Sequence, residues 1–255
     1  MLTAGGVASC HDENMTFEYS PAWPHGEIQE VLPDVFFVMG TNKTHHAGVD
    51  LQTSRTMVVL RQPEGLTLVN TVRLDDDGLG TLESLGRVTD ILRLGAFHGR
   101  DDAFYRDRYG AKLWALPGSM HADGREADRS LAASGELPVR NADLFVFESA
   151  KFPEAALLLR RDGGILITCD AVQNWATVDR FFSAETGAMF TAQGWIKPVN
   201  VPSTWLGACE PNVSDFRRLL ALQFRHLITA HGAPVLEHAH TRLTARVAEV
   251  FENRG

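Results

Sequence analysis

Cysteine is scarce in this chain of 255 residues: Cys10, Cys169 and Cys209 are far apart, and no CxxC pair occurs. A disulfide framework and a four-cysteine metal knuckle are therefore excluded, and a reducing compartment is expected. No apolar run approaches the roughly 20 residues of a membrane span. The N-terminus, MLTAGGVASC, lacks the basic stretch of a secretory signal, so a cytoplasmic protein is expected. Positive charge is in deficit, with Lys+Arg 24 against Asp+Glu 32 and a net charge of −8, which argues against nucleic-acid partners. Gly-x-Ser-x-Gly, Walker and Gly-x-Gly-x-x-Gly segments are all missing, and with them support for serine-hydrolase, NTPase and dinucleotide chemistry. What remains is ordinary globular composition, 44% hydrophobic and 22% charged, long enough for one large core.

The first thirty residues mix Gly, Asp, Asn and Pro without a period. They predict a weakly structured segment in which His11 and His25 have no chemical role and Met15 is a possible start, ahead of a single domain over 31–255. From Val35 the pattern is that of strands: 35–39, 56–60 and 66–70, the last two joined by a turn at Gln62-Pro63-Glu64-Gly65. Thr41 to Arg55 predicts a long polar loop. Leu79, Leu82 and Leu85 then repeat at helical spacing before Gly86, and Val88–Leu94 returns to strand. A helix from Asp101 or Asp102 to Tyr109 is expected to stop at Gly110.

In the second half, strands at 143–148, 155–160 and 165–169 surround a hairpin turn at Arg161-Asp162-Gly163-Gly164. The stretch 179–211 is long and aromatic. Ser214 is expected to cap a helix to about Gln223, a strand covers 226–230, and 237–253 has helical spacing. Hairpins in both halves argue against a purely parallel sheet. An α/β (α+β) sandwich of two sheets with helices outside is the expected architecture.

Four polar residues close strands, Asn70, His98, Asp170 and His231, and ligands in layered α/β folds sit beyond strand ends. Asp102 follows His98 at a helix start, where the dipole favours an acid. Two imidazoles and two carboxylates suit one divalent ion such as Zn²⁺, Fe²⁺ or Mn²⁺, although Asp102 and Asp170 can equally be caps. Trp175, Trp195 and Trp205 belong to a core or a cleft; His45 and His46 fall in the polar loop, and His121, His238 and His240 lack ligand spacing.

Three segments give the chain a resemblance to the metallo-β-lactamase superfamily over about 34–251. His98-Gly99-Arg100-Asp101-Asp102 looks like its His-x-His-x-Asp-His cluster. Ile165 to Asp170 is similar to its strand ending in a metal-bridging aspartate, and Leu227 to Pro234 to its last strand with a terminal histidine ligand and HG-x-P. The resemblance implies a four-layer αβ/βα sandwich with metal-activated water attacking an ester, amide, thioester or phosphodiester. It places His98, Asp102, Asp170 and His231 as metal ligands, with Asp102 and Asp170 catalytic. Arg100, Ala103 and Lys151 stand where three family histidines belong, so a reduced, single-metal hydrolase site acting on a small molecule is expected. The rival expectation is a non-catalytic scaffold, in which Arg100 and Lys151 enter the cavity, pair with Asp102 and Asp170 and make an anion pocket.

Overall fold

A computed structural model describes residues 17–46 and 48–252; Cys10, His11, Met15 and the predicted last residue of the C-terminal helix lie outside the described residues. The first sheet takes β1 (Gln29–Leu32), β2 (Val35–His46), β3 (Val49–Gln62), β4 (Gly65–Val69), β5 (Val88–Arg93), β6 (Lys112–Ala115) and β7 (Arg129–Ser130), in that order. The second has β8 (Ala142–Val146), β9 (Ala155–Leu159), β10 (Ile165–Thr168), β11 (His226–Thr229) and β12 (Val235–Leu236), each beside its sequence neighbour. Both sheets are mixed: β4–β5 and β10–β11 pair parallel, while β2–β3 and β9–β10 are antiparallel.

Period-two alternation explains the layers, because successive strand residues face opposite sides. Val35, Phe37, Val58 and Leu60 of the first sheet meet Leu157, Leu159, Ile165 and Ile167 of the second in a shared inner core. Their neighbours Phe36, Val38, Met57 and Val59 face outward beneath α1 (Asp76–Leu85) and α2 (Asp102–Tyr109), through Leu79, Leu82, Phe104 and Tyr105. On the far side Leu158, Leu166 and Leu227 pack on α4 (Ser203–Cys209), α5 (Val213–Leu220) and α6 (Ala239–Glu252). These are the four layers of the expected αβ/βα sandwich. No helix among the described residues is long and apolar enough to cross a membrane.

Three local expectations change. Thr41–Arg55 is not a loop: β2 and β3 form one long antiparallel hairpin, in register from Val35↔Leu60 to His46↔Val49. Its polar far end lacks a core face, so no apolar alternation marked it as strand. Asn212, not Ser214, occupies the cap position of α5. His25 is held in place rather than loose, with its Nε2 accepting from the Asp75 backbone N–H at 3.0 Å.

Candidate functional site

His98, Asp170 and His231 come together beyond the strand ends at one edge of the sandwich. Asp170 follows β10 and His231 follows β11, so parallel pairing of these strands aligns the two. Asn70, after β4, ties the sheet edges together: it donates to the Thr168 carbonyl at 3.2 Å and accepts from Leu94 N–H at 3.3 Å. His98 Nε2 lies 3.1 Å from His231 Nε2 and 3.5 Å from Asp170 Oδ2, and His231 Nε2 lies 3.0 Å from Asp170 Oδ1. Gln173 donates to Asp170 Oδ1 at 3.3 Å. All three of the converging residues are buried.

The hydrogen bonds at the back of each ring fix which nitrogen bears hydrogen. His231 Nδ1 faces the Ser54 carbonyl at 2.9 Å, which only accepts, so Nδ1 carries a hydrogen and Nε2 faces the site. His98 is the opposite case. Its Nδ1 is 2.9 Å from Nη2 of Arg55, a guanidinium with no acceptor, so the lone pair is spent on Arg55 and Nε2–H points into the site. Burial lowers the His98 pKa to about 4, and Arg55 adds to that against the pull of Asp170, leaving the ring neutral at pH 7. Burial opposes ionisation of Asp170, but His98 and His231 outweigh it and hold the carboxyl well below the usual range.

Arg55 is the residue the sequence did not disclose. It is 5% exposed, on β3, with its guanidinium 4.0 Å from Asp101. The expected cations behave differently from one another. Lys151 does not approach Asp170 or Asp102; it pairs with Glu210 at the surface, 2.5 Å away, because Phe147 and Cys209 direct its turn outward through backbone bonds. Arg100 lines the site and donates to the Lys43 carbonyl at 3.0 Å. Asp102 does not join the converging group. One of its oxygens accepts from the Thr71 hydroxyl at 2.6 Å; the other is buried without a partner.

Two further buried groups lie beneath Asp170. Cys169 packs in the inner core, yet its Sγ lies 3.7 Å from Asp170 Oδ2, and burial raises its thiol pKa. Glu154 accepts from the Ala171 N–H at 2.7 Å. Burial first, then Asp170, push its pKa well above the usual carboxylate value. A cavity of about 390 Å³ opens beside the group, walled by Leu51, Trp175, Met189, Phe190 and Trp195. Trp175 is fixed by donating to Ser54 Oγ at 2.9 Å and packs on His231. Trp205 belongs instead to the core under α5. His45 is at the exposed hairpin end, bonded to Asp50, and nothing is described of the His46 side chain.

His98, Cys169 and Asp170 offer ligand atoms within 4.8 Å of one another, a cluster that can hold a metal ion. The 3.0–3.5 Å spacings of His98, Asp170 and His231 also match the edges, roughly 3.3 Å, of a tetrahedron of ligands about 2.0 Å from zinc. Donor chemistry narrows the set. Asp170 is ionised, and His231 makes the Nδ1–H to carbonyl bond that orients metal-bearing histidines. His98 fits only if Arg55 gives up its Nδ1. The residues thus fit one ion on Asp170 and His231. Arg55→Met is expected to cost about 1–3 kcal/mol, by leaving buried His98 without its donor and buried Asp101 without its ion-pair partner. It should also release the His98 tautomer, read by long-range ¹H–¹⁵N correlation; an Nδ1–H already present in the wild type would contradict the assignment.

No family model and no curated protein matches the chain. Solved structures do. The crystal structure of VMB-1 at pH 5.5 is 10% identical, with a TM-score of 0.61 over 88% of this chain and 97% of that one. The metallo-β-lactamase FIM-1 from Pseudomonas aeruginosa, solved in its mono-zinc form, is 13% identical, with a TM-score of 0.58 over 90% and 97%. A metallo-β-lactamase from Erythrobacter litoralis is 13% identical, with a TM-score of 0.55 over 89% and 94%.

Proposed function

We propose, from the premise that the chain has the metallo-β-lactamase fold, that it is a hydrolase-like protein with a reduced site for a single divalent ion, zinc, iron or manganese. The observation that carries this is the convergence of Asp170 Oδ1, His231 Nε2 and His98 Nε2 beside an apolar cavity, with His231 3.0 Å from Asp170 and 3.1 Å from His98. Asp170 and His231 would hold the ion, which supplies Lewis acidity and lowers the pKa of its water toward ~7 when bound. FIM-1 was solved with one zinc, so a single ion is compatible with this fold in that protein.

The chain's own residues do the rest. Ser54 and Gln173 orient His231 and Asp170, so the two acceptors need no rearrangement to act. His98, held by Arg55 with Nε2–H forward, presents a neutral donor to an oxygen gaining charge in the site. Trp175 and Phe190 keep water from the cavity where an ester, lactone, thioester or phosphodiester of a small molecule would lie. Asp102, tied to Thr71, has no part in binding the ion. The buried free thiols Cys169 and Cys209 suit a reducing, cytoplasmic setting, and the charge of −8 suits small-molecule rather than nucleic-acid partners.

The test is metal analysis of protein purified without chelator, with a screen of the four bond types before and after chelation. At most one equivalent of metal and chelator-sensitive turnover are expected. Less than about 0.2 equivalents of any transition metal, with no turnover when Zn²⁺, Mn²⁺ or Fe²⁺ is added, would sink the proposal.

A further inference from the structure

A second, polar cavity of about 200 Å³ adjoins the apolar one, and the two share Thr44, Thr53, Asp170 and His231 as walls. Arg55, Arg100 and Asn42 line the polar side. Among the described residues, Arg55 spends one hydrogen bond on His98 and Arg100 one on the Lys43 carbonyl, so each guanidinium has N–H groups left over. The nearest carboxylate to Arg55 is Asp101, at 4.0 Å, beyond hydrogen-bond reach. Asp170 also faces this cavity, but its oxygens are engaged by His231, Gln173 and His98. Two guanidiniums thus line one pocket, and neither makes a hydrogen bond to a carboxylate among the described residues. Confined cations of this kind are stabilised by an anion that takes the free N–H groups.

We propose that the two cavities form one binding site for an amphipathic anion. A small oxyanion head group, carboxylate or phosphate, lies on Arg55 and Arg100, and a flat apolar body lies against Trp175, Phe190 and Trp195. The guanidinium fork matches a carboxylate or phosphate edge, and Asn42, Thr44 and Thr53 supply further donors around it. The aromatic walls suit a planar group, since rings pack edge-to-face or offset at little entropic cost. The proposal rests on the hydrolase reading only in taking this pocket as the substrate's seat, and it names the substrate class.

Calorimetric titration of the full chain after chelator treatment tests it, because bound metal then cannot capture the acid. The probes are 4-phenylbutyrate, phenyl phosphate and the neutral 4-phenylbutanol. At least one anion should bind about tenfold or more tightly than the alcohol, the worth of a charge-assisted hydrogen bond. Arg55→Gln and Arg100→Gln should each remove that preference, and Trp195→Leu should weaken all binding probes alike. Arg100 is only partly buried, so Arg100→Gln tests the proposal even if Arg55→Gln fails to fold. Equal binding of alcohol and anions, no binding of either anion at millimolar concentration, or a preference that survives Arg100→Gln overturns it. Anion binding as described without hydrolysis of any bond type would cancel the hydrolase reading alone. Hydrolysis of neutral esters with no anion preference would cancel this one alone.

Discussion

Asp170→Ala is expected to abolish metal retention and any turnover together. The carboxylate is the one charged ligand in the group, and it faces His231, His98 and Gln173 at once. Losing an outer-shell partner costs metal sites about 10–100-fold in affinity or activity. Removal of the anionic ligand itself should exceed that. Stability should fall by about 1–3 kcal/mol through lost hydrogen bonds to a charged group. His238→Ala, at an exposed position before α6, is the control and should change neither quantity. Metal content by mass spectrometry and urea unfolding of the three proteins check this. Metal content and rates in Asp170→Ala equal to wild type would remove Asp170 from the site.

The sequence made three strand ends legible because each was a short apolar run stopped by a polar residue: Asn70, Asp170 and His231 fall within two residues of the ends of β4, β10 and β11, whereas His98 lies in the loop five residues beyond Arg93, the end of β5. Cys169 was legible only in part: alternation puts it in the core but does not turn it away from Asp170, whose Oδ2 is 3.7 Å from its Sγ. Arg55 was not. It sits in a polar stretch that reads as loop, and its burial comes from pairing with Gly40 across the β2–β3 hairpin and from the site beyond it, neither of which has a local signature. Lys151 and Arg100 were no more legible. Both are cations at positions where the related pattern has histidine, but sequence carries no record of which side chain a turn directs inward. Asp102 shows the same limit: its helix start was right, and its oxygen goes to Thr71, a residue after β4 that spacing could not connect to it. Glu154 had no local signal either, since its partner, the Ala171 N–H, lies seventeen residues further along the chain.

Gly232→Ala should be among the most damaging small substitutions in the chain. Gly232 has φ +89°, and a methyl group there would land inside the contact radius of the Asn174 carbonyl and 2.9 Å from Trp175 N. Both neighbours are backbone, so neither can swing away. The segment is also pinned, since Asn174 N–H donates to the His231 carbonyl at 2.9 Å and Thr56 Oγ1 donates to the Gly232 carbonyl at 3.3 Å. Relief of the clash must move either His231 or the Gln173–Trp175 stretch, which carry the site. Overpacking costs about 1–3 kcal/mol and sometimes more, and an unfavourable φ adds about 1 kcal/mol. A loss of about 3 kcal/mol or more is therefore expected, a large share of the roughly 5–15 kcal/mol that holds a domain together. Gly110→Ala separates the two causes: Gly110 also has a left-handed backbone, φ +65°, but nothing stands within 4 Å of the added carbon. It should lose only about 1 kcal/mol and keep the site intact. Equal unfolding midpoints for the two variants would mean that the close approach of Asn174 to Gly232 does not constrain the loop that holds His231.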